Sequence, residues 1–139
     1  MAEKGGLTRP LLFALLWALV ICILCNMHLE TSGEVSWYYF DGIDKVVHAG
    51  MFFVLGILSY WGFSEQKRWK SGSRHAGWYA LLLCMLYGGL IEVLQGLVFT
   101  YRSADWIDWL FDIAGALLGL WVFGLVKKRY IRRNDTKTD

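Results

Sequence analysis

The sequence predicts an all-α integral membrane protein: a bundle of four transmembrane helices with both the N-terminus and the C-terminus in the cytoplasm. Three observations carry that expectation. The 139 residues are 56% hydrophobic and 17% aromatic, above the roughly 45–50% apolar content of ordinary soluble domains. The apolar residues fall into four blocks, at about 10–27, 46–63, 77–101 and 106–126, each near the ~20 residues that span a bilayer core. The 14 Lys and Arg residues are sorted to one side of those blocks.

Each block is a continuous apolar run rather than an alternating one. In hydrocarbon the backbone must satisfy its own N–H and C=O groups, so such runs form helices, whereas barrel strands alternate. The helices are expected at about 10–28, 44–63, 77–100 and 105–126. They make one membrane domain, 10–126, between a cytoplasmic N-terminus, 1–9, and a basic cytoplasmic tail, 127–139. The first block exceeds the ~7–15-residue core of a signal peptide and no small-x-small cleavage site follows it, so it reads as an uncleaved anchor. Cys22, Cys25 and Cys84 all lie within apolar blocks. The Cys22-x-x-Cys25 spacing occurs in redox and zinc motifs, but no second ligand pair accompanies it. The three cysteines therefore read as small apolar packing residues.

The charges orient the bundle. Lys4 and Arg9 precede the first helix; Lys67, Arg68, Lys70 and Arg74 fill the second connection; Lys127, Lys128, Arg129, Arg132, Arg133 and Lys137 follow the last helix. Only Lys45 and Arg102 fall on the other side. Basic loops stay in the cytoplasm, which places both termini and the 65–75 connection there and leaves 29–45 and 100–105 outside. Trp61, Trp69, Trp78, Trp106 and Trp109, with the aromatic run 37–40, lie where interfacial anchors are expected. The basic tail reads as a stop-transfer flank meeting anionic lipid rather than as a nucleic-acid site. The localisation expected is the cytoplasmic (inner) membrane, multi-pass, with membrane lipids as the surrounding partners.

Ionisable residues inside the helices are the functional signal, because a charge at the bilayer centre costs about 2.5–3.5 kcal/mol on insertion scales. They gather in three segments: Asp44, Lys45 and His48; Glu92 and Gln95; and Arg102, Asp105, Asp108 and Asp112. Asp44 and His48, four apart, share a helix face, as do Glu92 and Gln95, three apart. Asp105, Asp108 and Asp112 make one stripe. By the expected topology all three segments lie at the external ends of their helices, so they are predicted to meet in one polar pocket. Asp44, Lys45 and Asp105 are equally explained as helix-terminal groups; Glu92, His48, Asp108 and Asp112 lie too deep for that. Five acids against Lys45, Arg102 and His48 leave a surplus that protonation or a bound cation would relieve. A histidine with carboxylates is a donor set for a divalent metal, but no HExxH or comparable motif is present and no metal ligand is assigned. The small residues Gly88, Gly89, Gly96 and the step Gly115-x-x-x-Gly119 suit close helix packing.

The order Asp44-Lys45-x-x-His48 followed by Phe52 and Phe53, then Glu92-x-x-Gln95, then Arg102-x-x-Asp105-x-x-Asp108, then Gly115-x-x-x-Gly119, resembles the VanZ-like family over residues 44–119. The family often has Asn in the last polar motif, where this sequence has Asp112. The resemblance implies a bacterial polytopic protein of the cell envelope, in a family whose namesake is associated with low-level resistance to the glycopeptide teicoplanin.

The function expected is binding or processing of an envelope lipid or related amphiphile at the external interface. His48, Glu92 and Asp108 are the candidate catalytic residues. Asp44, Lys45, Gln95, Arg102, Asp105 and Asp112 are the candidate ligand-binding residues, with Lys45 and Arg102 suited to a phosphate or other anion. The ligand class is an anionic envelope lipid or a glycopeptide-related molecule, and the sequence names no cofactor. The alternatives are a non-catalytic assembly or ligand-binding protein, a small transporter component acting as an oligomer, and a cluster that only fixes the bundle.

Overall fold

A computed structural model describes residues 9–26, 42–66, 74–98 and 105–135. Its helices are α1 (Arg9–Asn26), α2 (Ile43–Ser64), α3 (Ala76–Val98) and α4 (Trp106–Asp135). All four are long and apolar enough to cross a membrane. Their lengths, 18 residues for α1 to 30 for α4, correspond to about 27–45 Å at ~1.5 Å rise per residue. The chain is a multi-pass membrane protein. Residues 27–28 and 99–100, expected as the ends of the first and third helices, lie outside the described residues.

The start of α2 is set by Gly42, which has a φ of 112° and sits in the left-handed region, where a side chain would be strained. The far end of α4 departs from the sequence expectation. The helix runs on to Asp135, past the end expected at about 126 and into the basic tail. Lys and Arg are good helix formers, neither Gly nor Pro interrupts residues 127–135, and cations favour a helix C-terminus.

Leu16, Leu86, Leu97 and Trp121 are more than half exposed and face outward with many other large apolar side chains. Water does not sustain apolar surface on that scale, and lipid does. Inside, Ile21, Phe52, Leu55, Cys84, Ile91 and Ala116 are fully buried, and α2 packs against all three other helices. Lipid tails are as apolar as leucine, so close packing and interhelical hydrogen bonds must hold such a bundle together. Both are present. Gly115 and Gly119 of α4 lie directly on the carbonyls of Ala49 and Phe53 of α2, and Gly56 faces the Ala116 carbonyl from the other side, where a Cβ would come within 2.9 Å of its oxygen. The Trp17 indole N–H donates to the Met51 carbonyl at 2.9 Å, and the Tyr87 hydroxyl donates to the Ala18 carbonyl. Trp109, expected as an interfacial anchor, instead ties α4 to α3 by donating to the Met85 carbonyl at 2.9 Å.

The glycine contact yields a controlled prediction. Gly115→Ala puts a methyl group into the Ala49 carbonyl and should destabilise the bundle by about 1–3 kcal/mol, the range for overpacking. Gly50→Ala, the same one-methyl change on α2 but with nothing within 4 Å of the added Cβ, should be neutral or stabilising. Thermal unfolding of the two variants in detergent checks the ordering.

Candidate functional site

The polar residues collect at one end of the bundle because α1 and α3 finish there while α2 and α4 begin there. His48 lies about 8 Å along α2 from its start and Asp112 about 9 Å along α4, at ~1.5 Å per residue. Glu92 lies at a matching depth before the end of α3. His48, Glu92, Gln95, Asp108 and Asp112 are each 6% exposed or less.

The entry of α4 is built first. Asp105 caps the helix, its carboxylate accepting from the Ile107 amide at 2.9 Å, a standard role for Asp at this position. The Asp105 amide in turn donates to Glu92 Oε2 at 2.8 Å. Within a single helix a Glu three residues on performs this reciprocal service; here the Glu comes from α3. Lys45 of α2 completes the junction, its Nζ reaching Asp105 Oδ2 at 3.3 Å and Asp108 Oδ1 at 3.0 Å.

One turn deeper, His48 Nδ1 faces Asp112 Oδ1 at 3.1 Å. The other ring nitrogen, Nε2, lies 4.0 Å from Asp44 Oδ1 and 4.0 Å from Cys25 Sγ. Asp112 therefore fixes the imidazole ring and leaves Nε2 turned toward the first turn of α2. Gly88 makes room for this pair, since a Cβ there would come within 2.9 Å of Asp112 Oδ2. Two buried carboxylate oxygens, Glu92 Oε1 and Asp112 Oδ2, have no hydrogen-bond partner among the described residues. Such atoms are rare in folded proteins and each calls for an explanation.

Asp44, Lys45, His48, Glu92, Asp105, Asp108 and Asp112 are thus brought together by three helices. Gln95 takes a different part. Its side-chain amide donates to the Cys25 carbonyl at 2.9 Å, fastening α3 to α1 rather than pointing at the carboxylates. Arg102 lies outside the described residues. Lys45, expected as an anion-binding group, is engaged by two acids. The first helix is more than an anchor, because it places Cys25 against His48. Nothing in an apolar block marks that cysteine. Gly88, by contrast, was legible in principle: Cys84, Gly88, Glu92 and Gln95 share one helical stripe on α3.

Chemically, an imidazole oriented through one nitrogen by a carboxylate is the arrangement of a general acid–base group. His48 with Glu92 and Asp112, and His48 with Asp44 and Asp108, also group three potential metal-ligand atoms within 4.8 Å of one another. Outside the membrane-spanning segments, the Ile107 amide holds the Asp105 carboxyl below its ordinary value of 3.8; partial desolvation opposes this and Lys45 adds to it.

A profile of the VanZ/LLP1 family matches residues 11–127, most of the chain. An uncharacterized protein of Schizosaccharomyces pombe is 34% identical over 94 residues, covering 68% of this chain and 52% of the relative. The chain thus spans about half the length of the curated relative it matches. That relative is fungal, so the kinship does not by itself mark the chain as bacterial. No solved structure matches it.

Two outcomes follow from this geometry. Gly88→Ala should displace the Asp112 carboxylate and change the imidazole nitrogen resonances of His48, while the helix content stays unchanged; nitrogen NMR of histidine-labelled protein reads this directly. For Asp105 the folded state holds the carboxyl below its unfolded value. Its stabilisation is therefore complete above pH 3.8 and is lost as pH falls through the lowered folded value. Asp105→Asn should flatten that acid limb of the stability profile, measured as unfolding midpoint against pH.

Proposed function

The chain belongs to the VanZ/LLP1 family, and from that premise we propose that the polar end of its bundle binds and processes the head group of a membrane-embedded amphiphile, an envelope lipid first of all. The observation that carries this reading is the buried His48–Asp112 pair at 3.1 Å, set just inside the end of a bundle whose outer surface is apolar. A ligand held in the bilayer by its tails brings its head group to that level without leaving the membrane.

In this reading His48, oriented by Asp112, exchanges a proton with the head group through Nε2. Glu92 and Asp108 are the further carboxylates of the reaction set. Asp44 at the mouth contacts the ligand, and Arg102, which precedes Asp105 in the chain, supplies the cation for an anionic head group. Lys45 holds Asp105 and Asp108 in place. The segregation of basic residues puts both termini on the cytoplasmic side and the pocket on the opposite face of the cytoplasmic membrane. A glycopeptide-related ligand, of the kind the family's namesake points to, is the other candidate for the same polar end.

Non-catalytic binding is the second reading, favoured by one observation: His48 is only 2% exposed, as suits a residue that shapes a site rather than reacts in it. The two readings separate on His48→Gln in protein reconstituted with anionic lipid vesicles. Processing predicts head-group turnover reduced by ~100-fold or more, the lower end of what a positioned acid–base group contributes, with lipid binding retained. Turnover absent from the parent protein leaves binding alone, and turnover unchanged in the variant removes His48 from the reaction. If Arg102→Ala leaves binding intact as well, the head-group reading is wrong.

A further inference from the structure

We propose that His48, Glu92 and Asp112 bind a divalent transition-metal ion through one imidazole nitrogen and two carboxylates. The ion deepens the head-group reading and, for its chemical consequence, rests on it; the site itself stands on geometry.

The three side chains come from three helices and are all buried, with their candidate ligand atoms within 4.8 Å of one another. An ion with bonds of ~2.0–2.2 Å keeps its ligand atoms about 3–4 Å apart, so small side-chain rotations close the set. Glu92 already has one oxygen fixed, Oε2 by the Asp105 amide, and Asp112 Oδ1 lies 3.1 Å from His48 Nδ1, a contact that coordination of Nδ1 to the ion would replace. The other oxygens, Glu92 Oε1 and Asp112 Oδ2, are buried without a hydrogen-bond partner among the described residues. Two half-used carboxylates converging on an imidazole make a donor set in search of a cation. Lys45 does not meet the need, since it is bonded to Asp105 and Asp108.

The surroundings supply what a metal site requires beyond its ligands. A ligating histidine usually donates its second N–H to a carboxylate or carbonyl. With Nδ1 on the ion, Nε2 is left 4.0 Å from both Asp44 Oδ1 and Cys25 Sγ, so a small rotation would give it the carboxylate partner. The ion rather than Nε2 would then act on the head group. The alternative grouping of Asp44, His48 and Asp108 is weaker on the same criteria, because the Lys45 ammonium already neutralises Asp108 at 3.0 Å. Mixed imidazole and carboxylate donors suit zinc, manganese or ferrous iron better than calcium, which takes oxygen alone.

The ion also resolves a conflict of charge. Carboxylates repel an anionic head group, whereas a divalent cation held by them attracts one and polarises its oxygens. That consequence gives the acids and the anionic ligand a common purpose.

The test uses the full chain in detergent, stripped with a chelator and titrated with cobalt(II), followed by its d–d absorption. A single saturable ion, displaced by zinc, is expected. Glu92→Gln and Asp112→Asn should each weaken it by more than ~100-fold, and Asp44→Asn by ~10-fold as for outer partners of a metal ligand. Helical circular dichroism tracks folding of each variant. No saturable cobalt binding to the stripped parent protein overturns the inference without any variant being needed. So does a thiolate-to-cobalt charge-transfer band, which would place the ion on cysteine, or affinity unchanged in both carboxylate variants. Anionic vesicle binding is measured in parallel. Vesicle binding that is insensitive to chelator, with no cobalt site, sinks the ion and spares the head-group reading. A cobalt site without vesicle binding does the reverse.

Discussion

Backbone contact between α2 and α4 is the constraint on which the rest of the molecule depends. Gly115 and Gly119 lie against the carbonyls of Ala49 and Phe53, and glycine is the residue that permits two helices this near approach. The polar pair is strapped to the same contact. His48 adjoins Ala49 in the chain, and Asp112 lies one turn before Gly115. A 3.1 Å separation between Nδ1 and Asp112 Oδ1 is therefore a property of two helix axes rather than of two flexible side chains. Spreading the axes by the width of a methyl group would part the imidazole from its carboxylate.

Around that pair the bundle handles polar groups in two ways. At the rim, every acid of the α4 entry has a partner: Asp105 caps its own helix and shares Lys45 with Asp108. This arrangement fixes where α4 starts and seats Glu92 through the Asp105 amide. One turn deeper the accounting changes, and Glu92 and Asp112 each keep a buried oxygen without a partner among the described residues. Structural polar clusters in membranes tend toward full satisfaction, because an orphaned group in a low dielectric is expensive. The satisfied rim and the half-satisfied interior divide the cluster into a scaffold and a site.

The helix that looked simplest contributes as well. Through Cys25 against His48, and through carbonyls that accept from Gln95 and Tyr87, α1 closes the side of the cluster that would otherwise face lipid. Its apolar surface is uniform in sequence, yet Ile21 and Cys25 are buried while Leu16 and Leu19 are open to the lipid side. A helix hydrophobic on all sides carries no mark of which face packs inward, since lipid and protein interior have the same polarity.

Sequence by itself determined the number of helices, their membrane character and the meeting of Asp44, His48, Glu92, Asp105, Asp108 and Asp112 at one end. Those features follow from the length of apolar runs and from the energetic rarity of charge within them, both of which are local. What the tertiary structure decided is how that group is divided: Lys45 to Asp105 and Asp108, His48 to Asp112, Gln95 to the α1 backbone, and Trp109 into the bundle. The continuation of α4 to Asp135 is by contrast local in origin, since no Gly or Pro interrupts residues 127–135. Pairings of this kind depend on the rotation of each helix about its axis and on the distance between axes. Both are set by contacts such as Gly115 on Ala49, between residues far apart in the chain, and periodicity along one helix holds no information about them. The four-helix membrane bundle was readable in the order of residues; which acid meets the histidine was decided by packing.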